Sequence, residues 1–455
     1  MGPTRKVVDN TFEKDEGNIV TDTITYAARP AKRRERPAHE PDATPDVARA
    51  AKLRAALVEK LRAERTIVSP AVQAAFHTVA RERFLPAAVP LNLAYGVDNS
   101  VVTKREEQDE DLEDWDQEVL SAEPAPYLQA WMLEQARLRP GMTVLQIGSG
   151  GLTAAYLAET VGEDGHVFSV DIDPEVTDHT ARLLDEAGYT GRVTVLTLDA
   201  SQAVPDARPF DAIIVTSAVW DVAPAWLDAL AEHGVLVLPL IMKGVTRVIG
   251  FRRDGDHLTS TCTQIPRQVK VQDDFQHPGR VFLLPDADGN LVGALLGGDV
   301  PAYLDNLHSV PAREETEVWS GVRIGDEIPF ADLHLWFAWF LPRFSLLPDD
   351  DAELASVTAS TSVADVPGSG FAYLTVRPLP DGAAIEFGAR AYGYGGRPAA
   401  EAMVAQIQAW DRDGRHTEPV FGYWPTGSDT ARIPAAATRM DKADGVVTVL
   451  WPDHR

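Results

Sequence analysis

Short apolar runs and helical patterns alternate along the chain between Met142 and Arg253. TVLQI, HVFSV, DAIIV and GVLVLPLI are continuous apolar runs, which are typical of strands buried on both faces of a parallel sheet. Segments with helical spacing separate them, including TAAYLAETVG, EVTDHTARLLDEAG and PAWLDALAE, and a glycine ends the first two. The pattern predicts an α/β, Rossmann-like core over residues 141–262, with helices on both faces of a parallel sheet.

Residues 46–140 predict a helical unit in front of this core. VARAAKLRAALVEKLRAE places apolar residues at helical spacing among strong helix formers, and Ser69 followed by Pro70 marks the start of a second helix. Residues 1–45 hold few large apolar side chains and many prolines and charges, which predicts a disordered or loosely docked extension. Its basic run at 32–36 is either a solvated tail or a contact for an acidic partner.

The C-terminal part, residues 263–455, is richer in β signals, and we expect it to form an α+β domain. Asp-Gly turns between apolar runs predict hairpins in VFLLPDADGNLVGALL, FAYLTVRPLPDGAAIEFGARAYG and MDKADGVVTVLW. AAEAMVAQIQAWDRDG predicts a helix, whereas the aromatic segment DLHLWFAWFLPRF fits either a buried helix or a buried strand.

Composition narrows the class of protein. The 455 residues include 68 acidic and 42 basic side chains, and the formal net charge of -26 disfavours binding to nucleic acid. Nine of the acids fall in 106–118, where mutual repulsion predicts a solvated loop; a calcium site is the alternative, but EF-hand spacing is absent. The single cysteine, Cys262, excludes an internal disulfide and a cysteine-based zinc site. No long apolar run or apolar leader is present, which predicts a soluble, cytoplasmic protein with no membrane partner.

The first strand-turn-helix unit contains the glycine-rich turn of VLQIGSGGLT. Gly148, Gly150 and Gly151 allow a ligand to approach the backbone, and the helix N-terminus that follows favours a polar or anionic group. Asp171 ends the second strand, where an acid can accept bonds from ribose hydroxyls, and Asp199 ends the third, where an acid suits an adenine amine. The carboxyl ends of these strands meet in one crevice, which predicts an adenosine-cofactor site. The alternative for both aspartates is capping of the next helix.

The turn differs from two common nucleotide-binding motifs. It is not a P-loop, because no Gly-Lys-Ser/Thr follows, and Leu152 and Thr153 break the G-x-G-x-x-G spacing of dinucleotide binders. The order of features instead resembles the class I methyltransferases, which use S-adenosyl-L-methionine. The resemblance implies no metal and these cofactor-binding residues: Gln146, Gly148, Ser149, Gly150, Gly151, Asp171, Ile172, Asp199, Ala200 and Thr216.

Further motifs resemble those of one family, the protein-L-isoaspartate O-methyltransferases, over about residues 66–255. They are RERFLP, AYGVDN, SAEPAPY, RPFDAIIVTSA and HGVLVLPL. VVTKR and AYGYGGRPAAEAMVAQIQAWDRDGR look like the long branch of this family that is associated with ribosomal peptide natural products, the FxLD-type lanthipeptide and graspetide methyltransferases.

The resemblance implies that a substrate carboxylate takes the cofactor's methyl group and that the ester then closes to a succinimide with loss of methanol. A carboxylate is ionised near neutral pH, so the reaction needs alignment and exclusion of water rather than a general base. We expect Lys104 or Arg105 to attract the acidic substrate and Ser121 to donate a hydrogen bond. The alternative for the two cations is a surface pair with the neighbouring acidic loop.

The chain departs from the family pattern at three positions. Aligned through Pro126 and Tyr127, Pro124 stands where the family usually has serine, Gln146 where an acid is common and Leu152 where a third glycine often lies. We predict methylation of an aspartate in a modified ribosomal peptide, leading through succinimide to isoaspartate. General isoaspartate repair and a non-catalytic peptide-binding module are the alternatives. In each case the partner is a peptide, and the sequence does not define an oligomeric state.

Overall fold

The computed structural model of the chain describes residues 47–105, 119–148, 150–205, 209–262, 280–285, 291–296, 316–325, 330–341, 344, 370–380 and 384–451. The predicted N-terminal extension, residues 1–45, and the predicted acidic loop, residues 106–118, lie outside the described residues. The described residues belong to one compact unit that spans Pro41–Arg455.

The N-terminal part contains the predicted helices and one hairpin. Its elements are α1 (Val47–Ala63), α2 (Pro70–Thr78), α3 (Leu91–Ala94), β1 (Val101–Arg105), β2 (Val119–Glu123) and α4 (Pro126–Ala136). Ser69 caps α2 as predicted, because its hydroxyl accepts a hydrogen bond from the Val72 N–H at 3.3 Å. The carboxylate of Glu134 accepts the N–H groups of Val68 and Ser69 at 3.0 and 2.9 Å, and this contact joins α4 to the start of α2. The strands β1 and β2 pair antiparallel.

The predicted alternation of strands and helices follows. The elements are β3 (Thr143–Ile147), α5 (Gly151–Val161), β4 (His166–Asp171), α6 (Pro174–Glu186), β5 (Val193–Thr197), β6 (Phe210–Val215), α7 (Pro224–Ala229) and β7 (Leu230–Met242). The five strands are parallel and lie in the order β5-β4-β3-β6-β7. Adjacent residues such as Ile213 and Ile214 are fully buried in different apolar clusters, one on each face of the sheet. The predicted parallel sheet with two covered faces is confirmed.

One helix is shorter than predicted. PAWLDALAE suggests a helix that continues to Glu232, but α7 ends at Ala229 and Leu230 already belongs to β7. Leu230 pairs with Phe210 of β6, and the register then shifts near His233, which has a φ of +63°. Pairing with the neighbouring strand therefore overrides helix propensity at these residues.

The C-terminal strands extend the same sheet. The remaining elements are β8 (Val245–Asp254), β9 (His257–Cys262), β10 (Arg280–Pro285), β11 (Leu291–Leu296), β12 (Thr316–Gly325), α8 (Ala331–Phe340), β13 (Gly370–Pro378), β14 (Ala384–Gly393), α9 (Gly396–Ala409), β15 (Val420–Pro425), β16 (Thr438–Asp441) and β17 (Gly445–Leu450). Beyond β7 the sheet continues as β8-β9-β15-β17-β16, all antiparallel. The division that we expected between residues 262 and 263 thus falls inside one ten-stranded sheet.

The three predicted hairpins are present as β10–β11, β13–β14 and β16–β17. The aromatic segment is the buried helix α8 rather than a strand, and its residues Leu333–Trp339 are buried. No helix in the described part of the chain combines the length and apolar character that a membrane crossing requires. Within the described ranges, no three His, Cys, Asp or Glu side chains are grouped in a way that suits a metal ion.

Candidate functional site

The glycine turn lies where the sheet reverses its strand order, between β3 and β6. Gly148 follows β3 with a φ of +88°, and its N–H donates to the Val170 carbonyl at 3.0 Å. A Cβ on Gly148 would lie 2.4 Å from Oγ1 of Thr216, which follows the adjacent strand β6. Both the backbone conformation and the space therefore require glycine at this position. Crevices at such switch points are where open α/β sheets bind ligands.

The side chains of Gln146 and Thr216 donate hydrogen bonds to backbone carbonyl groups at the turn. Gln146 is fully buried, and its Nε2 donates to the carbonyls of Gly148 and Gly150 at 3.0 and 3.4 Å. Thr216 Oγ1 lies 3.1 Å from the Ile147 carbonyl and 2.9 Å from the Gly148 carbonyl, and donates to this pair. Both predicted residues thus contact the turn itself. Ser149, also predicted, lies outside the described residues.

Gly150 and Gly151 begin α5 and are packed closely on one side. A Cβ on Gly150 would lie 2.7 Å from Oε1 of Glu123, and one on Gly151 would lie 3.0 Å from the ring of Phe84. The start of α5 therefore packs against Glu123 at the end of β2 and against the ring of Phe84. The absence of side chains brings the backbone of the turn close to its neighbours.

The end of β4 places a carboxylate beside an exposed apolar side chain. Asp171 is the last residue of β4, and its Oδ1 accepts the Asp173 N–H at 2.9 Å. The next residue, Ile172, is 70% exposed, so its apolar side chain is accessible to a ligand. Asp173, rather than Asp171, caps α6 by accepting the Glu175 N–H at 2.8 Å. The geometry suits a ligand with hydroxyl donors and a flat apolar group.

Asp199 instead uses its carboxylate locally. Its Oδ1 accepts the N–H and hydroxyl of Ser201 at 3.0 and 2.6 Å, and its Oδ2 accepts Nε2 of Gln202 at 2.9 Å. The hydroxyl and the N–H of Ser201 hold the pKa of Asp199 below its usual value. The Ala200 carbonyl accepts the indole N–H of Trp226 at 2.7 Å. In the described structure the carboxylate of Asp199 therefore binds residues of its own turn, whereas the alternative to cofactor binding was capping of the next helix.

The predicted catalytic residues lie on the β1–β2 hairpin. Lys104 forms ion pairs with Asp173, the cap of α6, and with Glu175, whose carboxylate is 2.8 Å from Nζ. The hydrogen bond to Asp173 and that to Glu175 raise the pKa of Lys104, while the Lys104 bond lowers the pKa of Asp173. Among the described residues, the partners of Lys104 are thus the N-cap and the first turn of α6.

Ser121 and Arg105 lie on the same hairpin. Ser121 Oγ accepts the hydroxyl of Thr103 at 2.9 Å, and Arg105 is exposed at the end of β1. Pro124, which occupies the position of the family serine, follows β2, and its carbonyl accepts Nη2 of Arg81 at 2.9 Å. Ser121 is on β2 itself, paired with Lys104.

A buried polar network beside the glycine turn was missed by sequence reasoning. Glu123 is 4% exposed, and Arg81 and Gln129 are 0% and 1% exposed. Arg81 donates to Gln129 Oε1, and Gln129 Nε2 donates to Glu123 Oε2 at 3.2 Å and to Thr153 Oγ1 at 2.7 Å. Glu123 Oε1 also lies 3.4 Å from the Leu152 N–H. Burial raises the pKa of Glu123 to about 7, against the opposing effect of Arg81. Arg81 lies in the motif RERFLP and Glu123 in SAEPAPY, but neither motif shows that the two side chains meet each other and Gln129 in the folded chain.

The part of the chain that contains these residues is similar to known proteins. The family model for protein-L-isoaspartate(D-aspartate) O-methyltransferase matches residues 52–271. A protein-L-isoaspartate O-methyltransferase of Hyperthermus butylicus is 36% identical over 192 residues, which cover 40% of this chain and 73% of the relative. The corresponding protein of Pyrobaculum neutrophilum is 34% identical over 186 residues, which cover 41% of this chain and 82% of the relative.

Solved structures of the same description are more distant. One protein-L-isoaspartate O-methyltransferase covers 81% of this chain and 96% of its own, at 19% identity and a TM-score of 0.41. A Plasmodium falciparum chain assigned to that activity, crystallised with S-adenosyl-L-homocysteine, covers 44% of this chain and 89% of its own, at 16% identity and a TM-score of 0.35. The sequence matches and the parallel sheet together confirm the predicted α/β methyltransferase fold class.

Proposed function

This chain belongs to the protein-L-isoaspartate O-methyltransferase family, and from that premise we propose that it methylates the isoaspartyl carboxylate of peptides or proteins, with S-adenosyl-L-methionine as methyl donor. One observation carries the proposal. The glycine turn at Gly148 faces Thr216 across the switch point of the sheet, and Asp171 with the exposed Ile172 ends the next strand. An adenosine cofactor needs a close backbone approach, a ribose acceptor and an apolar surface at these places.

The residues present fit this cofactor. Gly148 and Gly150 leave a cradle that any Cβ would fill. Gln146 Oε1 is buried without a hydrogen-bond partner among the described atoms, so the turn retains an acceptor for a donor group. We assign Asp171 to the ribose hydroxyls and Ile172 to the adenine face. Of the other predicted cofactor residues, Thr216 and Gly151 shape the turn, and Asp199 and Ala200 shape the neighbouring wall.

S-Adenosyl-L-methionine supplies a methyl group that is activated by its positively charged sulfur. A carboxylate oxygen of the substrate forms a bond to the methyl carbon while the carbon–sulfur bond breaks and its electron pair stays on sulfur. The carboxylate is already ionised near neutral pH, so no side chain has to accept a proton. The protein contributes by alignment and by excluding water.

The hairpin residues divide into two roles in this proposal. Lys104 is neutralised by Asp173 and Glu175, so we assign it to holding the hairpin against α6. Arg105, exposed at the end of β1, remains the proposed contact for the substrate carboxylate, and Ser121 remains the proposed hydroxyl donor. The family serine is replaced by Pro124, so Ser121 would have to supply its hydroxyl from β2.

A second candidate is tailoring of a ribosomal peptide at a normal aspartate. One observation favours it: the family match ends at residue 271, whereas strands β15–β17 extend the sheet and contact the loop after β6. These additional strands provide a further surface that could bind one particular peptide. A chain that binds cofactor and peptide without catalysis is the third possibility, motivated by Pro124.

Calorimetry and mass spectrometry distinguish the three candidate functions, which are repair, peptide tailoring and peptide binding without catalysis. Purified full chain should bind S-adenosyl-L-methionine, and absence of binding would refute both enzyme proposals. Methylation of an isoaspartyl peptide supports repair. Methyl addition to a normal aspartate of a precursor peptide, followed by loss of water relative to that precursor, supports tailoring. Cofactor binding without any methylation identifies the non-catalytic module.

A further inference from the structure

An ionisable side chain from outside the methyltransferase core lies beside the glycine turn. Glu123 ends β2, yet its Oε1 would be 2.7 Å from a Cβ on Gly150 and is 3.4 Å from the Leu152 N–H. The carboxylate therefore lies at the first turn of α5, an 11-residue helix whose N-terminus favours negative charge. Gln146, on the core side of the same turn, contributes a neutral amide.

The surroundings of Glu123 hold it in place while leaving its charge only partly compensated. Gln129 of α4 donates to Oε2 and to Thr153 of α5, so the carboxylate is linked to both helices. Arg81 attracts the carboxylate electrostatically but directs its hydrogen bonds to Gln129 and the Pro124 carbonyl. The charged or titratable groups that interact with this network are Arg81, Tyr156 of α5 and Arg54 of α1.

We propose that Glu123 is a positioning residue that discriminates between the two forms of the cofactor. Its ionised carboxylate orders the Gly150–Leu152 segment and favours S-adenosyl-L-methionine, which carries a positive sulfonium, over S-adenosyl-L-homocysteine, whose sulfur is neutral. Methyl transfer removes that positive charge, so the same carboxylate that helps the donor bind stops favouring the product. This inference rests on the proposed function, because it concerns the same cofactor site.

The proposal has a pH signature. Burial gives Glu123 a pKa of about 7, above the 4.5 of a free glutamate. The ionised fraction then rises about tenfold from pH 6 to pH 8, so a ligand that requires the ionised form gains up to about tenfold in affinity over that range. Binding of a cation lowers the pKa of the carboxylate, which is the reciprocal effect.

The test is calorimetric titration of the full chain with S-adenosyl-L-methionine and, separately, S-adenosyl-L-homocysteine at pH 6, 7 and 8. We expect the ratio of the two affinities to shift toward the methyl donor as pH rises, by up to about tenfold. In Glu123→Gln the ratio of the two affinities should change less with pH than it does in the wild type. Titration of the ligands themselves affects both proteins equally, so the difference between the two proteins reports Glu123. KM for S-adenosyl-L-methionine should rise while kcat stays within about threefold.

Glu134→Gln is the matched control, because it makes the same chemical change on α4 at a carboxylate that accepts the N–H groups of Val68 and Ser69 instead of contacting the glycine turn. It should retain the wild-type pH dependence of the ratio. If Glu123→Gln does not fold, the wild-type titration alone decides. A wild-type ratio that is constant from pH 6 to pH 8 overturns the inference while leaving the proposed function intact; failure of both ligands to bind overturns the proposed function.

Discussion

Residues of the same type in and around the candidate site differ in what the structure requires at their positions. Gly148 needs both a positive φ and empty space, whereas Gly162, with a φ of +73°, has no atom within 4 Å of the position of a Cβ. Asp171 and Asp199 occupy equivalent ends of neighbouring strands, but both oxygens of Asp199 bind residues of its own turn. Similar residue types in similar sequence contexts therefore have different consequences when they are replaced.

Gly148→Ala should lower the affinity for S-adenosyl-L-methionine by at least about tenfold, because the added methyl group collides with Thr216 and displaces the turn. Gly162→Ala also introduces backbone strain, because a φ of +73° with a ψ of -169° is a conformation that essentially only glycine adopts, at a cost of about 1–3 kcal/mol, but it should keep the wild-type affinity. Calorimetry measures the affinity and thermal unfolding measures the strain. Equal affinities for the two variants would remove Gly148 from the site.

Asp171→Asn should weaken cofactor binding by roughly 1.5–3 kcal/mol, the range for a hydrogen bond to a charged group. Asp199→Asn should mainly lower the melting temperature, because it weakens the bonds to Ser201 and Gln202. Calorimetry and thermal unfolding of both variants give the comparison. A larger loss of cofactor affinity in Asp199→Asn than in Asp171→Asn would reverse these assignments.

At the level of elements, the β1–β2 hairpin is attached to the core by contacts at both ends of its sequence. Lys104 of β1 pairs with the first turn of α6, and Glu123 of β2 contacts the first turn of α5. Both helices begin immediately after strands of the cofactor crevice, β4 and β3. These two polar contacts therefore attach the hairpin to the helices that follow β4 and β3.

Lys104→Met should destabilise the protein by no more than about 1 kcal/mol, because the pair is partly exposed and screened. The pKa of Asp173 is lowered and that of Lys104 raised, so the pair is fully charged between their ordinary values of 3.8 and 10.5. Its contribution is lost only as pH falls through the depressed Asp173 pKa or rises through the elevated Lys104 pKa.

Thermal unfolding at low and high salt, at neutral pH, tests this role. The difference between wild type and Lys104→Met should shrink at high salt. A strong rise in peptide KM with unchanged stability would instead support the substrate-binding role that the sequence suggested for Lys104.

At the scale of the whole molecule, the C-terminal strands anchor the loop that follows β6. The Tyr423 hydroxyl of β15 donates to Asp221 Oδ1 at 2.7 Å, and the Asp444 N–H donates to Asp221 Oδ2 at 2.7 Å. Lys442 Nζ lies 3.7 Å from the centre of the Trp220 ring and donates to the Ile241 carbonyl at 2.7 Å. Burial lowers the pKa of Lys442 to about 8. The C-terminal part thus holds the loop that follows β6, which begins at Thr216 beside the glycine turn.

Tyr423→Phe should raise KM for a peptide substrate several-fold with little change in cofactor affinity, because it removes the hydroxyl that binds Asp221 Oδ1 and loosens the loop after β6. Tyr189→Phe is a suitable control: this tyrosine is also buried and interacts with Glu159 instead of that loop. Steady-state kinetics with an isoaspartyl peptide as substrate measures both variants. Equal effects of the two substitutions would indicate general destabilisation.

Much of the fold was predictable because its signals are local. Apolar runs, glycine ends and Asp-Gly turns each depend on a few consecutive residues, and they located the parallel strands and the three hairpins. The continuation of the sheet from β9 to β15 was not predictable, because Leu258 and Tyr423 pair across a long stretch of sequence.

The candidate site shows the same limit. Gly148 and Thr216 lie within recognisable motifs, and the structure brings them into contact. Glu123 escaped notice because its significance depends on Arg81, Gln129 and Gly150, which come together only in the folded chain. The sequence left the role of Asp199 open between cofactor binding and capping, since a capping aspartate and a ligand-binding aspartate have the same sequence context.

The most direct test uses two synthetic peptides that are identical except that one contains isoaspartate where the other contains aspartate. The full chain is incubated with each peptide and S-adenosyl-L-methionine carrying a labelled methyl group, and label transferred to the peptide is counted. We predict transfer to the isoaspartyl peptide, and much less to the aspartyl peptide. Transfer to neither peptide, with cofactor bound, or transfer to the aspartyl peptide alone would contradict the proposed activity.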